Sequence, residues 1–166
     1  MYKMNVKFTK LHELAIIPEY SHEDDSGFDF RTIEACEVEY GKITLVRTGL
    51  SVEMPHIPHG TMGHQTIPFN LTMELQLRAK SGLAAKQGIA LVNGIGTIDF
   101  GYRGEILGAL TRTVPGSYIF EEGEKFCQGV FAPVFSKRAL NFVEVDADEL
   151  SHTSRSDGGF GSTGTQ

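Results

Sequence analysis

Six stretches of alternating or β-branched character constrain what this chain can fold into: NVKFTKL, CEVEYGKITLVRTGLSVEM, LTMELQLRA, GEILGALTRTV, GVFAPVF and LNFVEV. Glycine, proline, aspartate and histidine separate them, which is the rhythm of an antiparallel sandwich or barrel and not of alternating strands and helices. Helix signals are scarce. The best is SGLAAKQG, where Ser81 is placed to cap a short helix and Gly88 to stop it. The expected fold class is all-β, and 166 residues suit one domain with a real core better than two.

Charge and composition narrow the function classes. A formal net charge of −6 disfavours a general affinity for nucleic-acid backbone, which asks for a basic face, although it leaves room for a small basic pocket. The two cysteines, Cys36 and Cys127, are far apart and have no C-x-x-C spacing, so neither a disulfide framework nor a thiolate metal site is expected. No apolar run approaches membrane-spanning length, and the start MYKMNVKFTK lacks an apolar signal core. The expectation is an intracellular, cytoplasmic protein with no membrane or nucleic-acid partner.

Three segments break the strand rhythm. SHEDDSG, at 21–27, reads as an acidic loop, and PHIPHGTMGHQTIPFN, at 55–70, as a long loop. The latter holds His56, His59 and His64 but supplies no fourth zinc ligand, so it reads as a surface loop rather than a metal site. The end of the chain, RSDGGFGSTGTQ, offers one large apolar side chain, Phe160, among small and polar ones. Such a segment cannot offset its own ordering entropy; its amides, hydroxyls, arginine and ring suit a nucleotide that would order it.

Several short groups carry candidate chemistry. In DDSGFDF a carboxylate lies beside a Ser-Gly turn, and RAKSGLAAKQGI sets Lys80, Ser81 and Gly82 at the expected helix start, an anion site. In VNGIGTIDFGYRGEI, Asn93-Gly94 is a hairpin signal and the following strand carries Asp99 and Tyr102. An aspartate in an apolar strand is costly unless paired or working, so Asp99 is a candidate for orienting a hydrolytic water. Gln128 in GEKFCQGVF is a polar side chain amid an apolar strand and, if buried, needs a partner.

Taken in order, DSGFD, AKSGLA, NGIGTIDFGYRGE, GEKFCQ and RSDGGFGSTG resemble the five motifs of the trimeric dUTP pyrophosphatase (dUTPase) family, over residues 25–164. The resemblance implies a jelly-roll-like β-barrel or sandwich at 1–150 with an inserted loop at 56–70. A C-terminal arm at 151–166, swapped or mobile, would close over the active site. It further implies a homotrimer with sites shared between subunits. The implied reaction is hydrolysis of dUTP to dUMP and pyrophosphate with Mg2+, keeping uracil out of DNA and supplying dUMP for dTTP synthesis. On the matched positions, Asp99 would hold the water that attacks the α-phosphorus, and Tyr102 would lie under the sugar and exclude a 2′-hydroxyl. Asn93, with Gly96, Thr97 and Ile98, would read uracil. Lys80, Ser81, Gly82 and Gln128 would meet the phosphates, and Asp29 would reach the metal through water. In the arm, Arg155 would pair with the γ-phosphate, Phe160 would stack on uracil, and Gly161, Ser162 and Thr163 would offer amides and hydroxyls.

The chain departs from the family pattern at identifiable places. Lys80 stands where the second motif usually has arginine, and Gly123-Glu124-Lys125 where the fourth usually reads G-D-R. Lysine keeps the charge but loses the planar fork. Two alternatives stand beside the hydrolase reading. A dCTP deaminase of the same fold typically lacks the fifth motif and the sequence seen here as Tyr102-Arg103-Gly104. A regulatory binding protein would act through a partner surface at 56–70.

Overall fold

The computed structural model describes residues 3–57, 61–62, 65–66, 71–137, 139–154 and 156. Its strands, in chain order, are β1 (Lys7–Lys10), β2 (Phe28–Arg31), β3 (Cys36–Glu39), β4 (Thr44–Arg47), β5 (Leu50–Glu53), β6 (Thr61–Met62) and β7 (Gln65–Thr66). After these come β8 (Leu71–Ala79), β9 (Ile89–Leu91), β10 (Gly96–Ile98), β11 (Leu107–Arg112), β12 (Ser117–Phe120) and β13 (Lys125–Phe135). Helix α1 (Ser81–Gln87) follows β8, and a 3-10 turn occupies Ala147–Glu149.

The largest sheet has the order β10-β8-β13-β2, and a second has the order β4-β11-β9; β1 pairs with β5, β3 with β12 and β6 with β7, every ladder antiparallel. Alternation along the strands decides which residues face inward. On β8, Met73, Leu75 and Leu77 are buried while Glu74 and Gln76 are half-exposed; on β2, Phe28 and Phe30 are buried and Asp29 and Arg31 point the other way. These apolar halves join Val38, Val46, Leu50, Val52, Ile89, Leu110, Phe120 and Phe126 in one continuous core. The other face of the largest sheet, the polar face of β8 and β2, carries Arg78, which donates to Gln76, and Gln76, which donates to Glu74 at 2.6 Å, beside Val130, Ala132 and Val134 of β13.

A register shift between Lys125 and Cys127 breaks the alternation of β13. Phe126 and Cys127 are both buried, one after the other, and Gln128 comes out half-buried opposite Asp29 on one side and Arg78 on the other. The bulge thus re-phases the strand so that Lys125 and Gln128 share the polar face.

Four local expectations are corrected. LNFVEV forms no strand: it enters no ladder among the described residues, and Phe142 is 94% exposed. The 55–70 stretch contains a small hairpin, with Thr61 opposite Thr66 and Met62 opposite Gln65. Ser81 is the first helical residue of α1 and not its cap; Lys80 holds the cap position, and Gly88 ends the helix at φ 65° as expected. Asn93-Gly94 does form a turn, with Gly94 at φ 70°, but the strands it joins do not pair with each other: β9 lies against β11 and β10 against β8.

Gly129 on β13 faces the core, where a Cβ would lie 2.5 Å from Phe28 and 2.7 Å from Phe30 ring carbons. Overpacking two buried rings should destabilise the Gly129→Ala protein by about 1–3 kcal/mol. A urea-unfolding midpoint equal to that of the unaltered chain would show that the rings move aside freely.

Candidate active site

Two groups of expected site residues lie on the polar face of the largest sheet, at opposite corners. At one corner the chain leaves β10 at Ile98, and Asp99 comes immediately after the strand, exposed. It is therefore not the buried strand aspartate that the sequence suggested, and its carboxylate has no hydrogen bond or ion pair to any described residue. With Thr72, Glu74 and Lys137 it lines a cleft of about 610 Å³.

The loop after Asp99 is tied down at nearly every residue. The Tyr102 amide donates to the Asp99 carbonyl at 3.0 Å, and the Tyr102 hydroxyl to the Glu105 carbonyl at 2.9 Å. Ser51 Oγ donates to the Arg103 carbonyl at 2.8 Å, and the Ile106 amide to the Leu50 carbonyl at 2.8 Å. Glu105 accepts from Arg47 Nε at 3.2 Å on each oxygen and from Arg47 Nη2 at 3.0 Å on Oε2, and from the Gly49 amide at 2.8 Å on Oε1. Gly104 lets the Tyr102 ring lie close, since a Cβ there would collide with the phenol oxygen. Arg47, Ser51 and Glu105 were not among the expected site residues; the GE that closes the third motif was the available signal, but its partners on β4 and β5 carry no motif at all.

Asn93 and Thr97 are exposed, Ile98 half-buried and Gly96 buried against Leu77. His56, at the start of the 55–70 stretch, has its ring 4.7 Å from that of Phe100, so this stretch begins beside the Asp99 loop. His59 and His64 lie outside the described residues, as do Arg155, Phe160, Gly161, Ser162 and Thr163.

At the other corner, Lys80, Ser81 and Gly82 leave the end of β8, with Ser81 and Gly82 exposed. Asp29 accepts from Lys80 Nζ at 2.8 Å through Oδ1 and from Lys125 Nζ at 2.7 Å through Oδ2. Burial raises the Asp29 pKa, but the hydrogen bonds and charges of Lys125 and Lys80 outweigh it, and the carboxyl is held below its ordinary value. With each oxygen already accepting an ammonium group, Asp29 does not fit direct ligation of a metal ion, although each oxygen keeps a further acceptor site. Ile98 is opposite Leu75, while Asp29 is opposite Gln128, itself opposite Arg78. At strand dimensions, Asp99 and Asp29 are on the order of 20 Å apart.

Residues 13–164 match the model of the dUTPase family. The chain belongs to the dUTPase family. It is 42% identical over 162 residues to the deoxyuridine 5′-triphosphate nucleotidohydrolase of Gloeothece citriformis, covering 97% of each chain, and 38% identical to that of Alkaliphilus metalliredigens, covering 98% of this chain and 99% of the other. Among solved structures, the Staphylococcus bacteriophage 80alpha dUTPase with dUpNHpp matches at a TM-score of 0.75 and 24% identity, over 96% of this chain and 98% of that one. The dUTPase of phage phi11 of S. aureus, described with a structural Mg(II) ion, matches at 0.67 and 22%, over 85% and 97%. The likeness fixes the jelly-roll-like dUTPase fold.

The turn that carries the fourth dUTPase motif is braced from outside it. Glu124 accepts the Tyr118 hydroxyl and the Glu121 amide, and Arg31 donates to the Gly123 carbonyl at 2.7 Å. The hydrogen bond to Glu124, with burial and its negative charge, pushes the Tyr118 phenol up to about 12. A raised folded-state pKa contributes stability that is fully present below the unfolded value near 10 and is lost as pH rises through 12. Ultraviolet titration should show one of the five tyrosines ionising near pH 12, and Tyr118→Phe should abolish that step. Loss of a different step would separate Tyr118 from the brace.

Proposed function

We propose that this chain is a dUTP diphosphatase that converts dUTP and water to dUMP and pyrophosphate, at sites built from more than one subunit of a homotrimer. The observation that carries the reading is Asp99, an exposed carboxylate engaged by no described residue, at the head of a loop that is otherwise pinned. In the proposed step Asp99 orients a water molecule. The water oxygen bonds to the α-phosphorus, the bond to the departing pyrophosphate oxygen breaks, and the water's proton passes to the Asp99 carboxylate. Tyr102, held by Glu105 and given room by Gly104, would stack beneath deoxyribose where a 2′-hydroxyl cannot fit. Asn93, Gly96, Thr97 and Ile98 would read uracil, Lys80, Ser81, Gly82 and Gln128 would hold the phosphates, and Arg155 with 160–163 would close the site.

Shared sites follow from the span of the sheet. Asp99 and the Lys80–Gln128 corner of one chain are on the order of 20 Å apart, which supports a reading in which a second copy would bring its own corner to Asp99. The divalent ion of the family, read here as Mg2+, would accompany the substrate phosphates and not Asp29. Two free cysteines, Cys36 and Cys127, agree with a cytoplasmic setting. A partner bound at 56–70 would act next to Asp99, because the His56 ring lies 4.7 Å from that of Phe100.

Pyrophosphate release from dUTP, dTTP, dCTP and UTP tests the reading. Asp99→Asn should lose about 10²-fold or more in turnover while still binding nucleotide; near-normal turnover would remove Asp99 from the mechanism. Tyr102→Ala should raise UTP hydrolysis relative to dUTP, and an unchanged ratio would mean that the ring does not gate the sugar. An Asp99→Asn chain and a chain truncated after Ser154, each inactive, should recover activity when unfolded and refolded together. Silence after confirmed subunit exchange would show that each chain builds its own site.

A further inference from the structure

The family resemblance gives Asp29 to a metal-bound water, and its surroundings do not fit direct ligation of that ion. Each carboxylate oxygen already accepts a lysine ammonium, Lys80 at 2.8 Å and Lys125 at 2.7 Å. A dication there would have to displace both and then sit beside two like charges. Asp29 is also the most deeply set of the three, with its side chain 11% exposed against 29% for Lys80 and 36% for Lys125. The carboxylate lies beneath, and the two ammonium groups stand between it and solvent.

We propose that Asp29 is a positioning residue that holds Lys80 and Lys125 together as a twin-ammonium clamp for the phosphate chain of the nucleotide, an inference that rests on the function proposed above. An ammonium group has three N–H donors, so each lysine spends one on Asp29 and keeps two for an anion. Both lysines stand where the family motifs usually have arginine. A single lysine lacks the planar fork that lets arginine grip a phosphate with two parallel bonds, and two lysines seated on one carboxylate restore a pair of converging donors. The triad carries one net positive charge. Arg31, on β2 beside it, adds another, its guanidinium bonded to the Gly123 carbonyl; of the nearby acids, Glu124 is turned toward Tyr118, Glu121 and Glu122 are exposed in the same turn, and Glu19 lines the same recess as Asp29, Arg31 and Lys125. Exposed Ser81 and Gly82 follow Lys80 directly, and Gln128 is the register partner of Asp29, so the other expected phosphate contacts adjoin the clamp. Without the carboxylate the two ammonium groups repel and part. The negative charge of Asp29 would oppose an anion if it stood alone, yet here it keeps the donors together.

The test uses the full chain, Asp29→Asn and Asp29→Glu, and reads three quantities. Calorimetry with metal chelated gives the affinity for inorganic triphosphate and for dUMP; turnover gives the Mg2+ concentration for half-maximal dUTP hydrolysis. Asp29→Asn should lose about tenfold in triphosphate affinity, hold dUMP affinity within about twofold, and leave the Mg2+ half-saturation unchanged. Asp29→Glu should restore most of the loss. Should Asp29→Asn not fold, Lys80→Gln, Lys125→Gln and their double variant carry the test, with the double losing no more than the worse single because the clamp works as a unit. Triphosphate affinity that is unchanged or tighter in Asp29→Asn overturns the clamp, as do additive lysine losses. A raised Mg2+ half-saturation returns Asp29 to the metal. If the unaltered chain fails to hydrolyse dUTP but binds triphosphate in an Asp29-dependent way, the proposed function falls and the clamp stands.

Discussion

The antiparallel ladder between β8 and β13, from Cys127 opposite Ala79 to Phe135 opposite Leu71, is the constraint on which the other features depend. It sits in the middle of the largest sheet, and its inner face supplies Leu75, Leu77 and Phe126 to the core. Its end releases the chain into Lys80 and the short helix, one flank carries β10 and hence Asp99, and the other carries β2 and hence Asp29. Because apolar side chains lock one face of every strand inward, the polar face has no freedom to choose its members. The chemistry is laid out by the same alternation that builds the core.

The register shift in β13 is the one break in that alternation, and it has the larger functional effect. In an unbroken strand Cys127 would share a face with Lys125, and Gln128 would turn into the core. The bulge sends Phe126 and Cys127 inward together and returns Gln128 to the face that holds Asp29 and Lys125. Gly129 then admits the Phe28 and Phe30 rings where any side chain would block them. The polar residue that looked out of place in an apolar strand is thus explained by geometry and not by a buried partner.

Much of the fold was legible because period-2 alternation is a strong local signal: LTMELQLRA coincides with β8 from end to end. LNFVEV carries the same signal and forms no strand, because alternation says that a segment can pair and says nothing of whether a partner is in reach. Asn93-Gly94 was read correctly as a turn and incorrectly as the tip of a ladder, since turn chemistry is local and strand partnership is not. The family, and with it the candidate site, was legible through the order of five short motifs. Its supports were not, because Arg47, Ser51 and Tyr118 act from distant positions through contacts that only the closed sandwich creates.

The layout also bears on why an acidic chain can serve a highly charged substrate. Net charge describes the far field, whereas binding depends on the few groups within a Debye length of the phosphates. Lys80, Lys125 and Arg31 are gathered at one corner of the polar face, and Asp99 stands on the order of 20 Å away at the other. Within one chain this separation keeps the Asp99 carboxylate from neutralising the cationic corner, which would happen if a single sheet carried both side by side. In the shared-site reading proposed above, assembly would bring the cationic corner of one subunit to the carboxylate of the next, with the substrate's own charge between them. On that reading a rigid sheet that does not close its own site is no defect: it would hold apart two groups of opposite charge until a nucleotide lies between them.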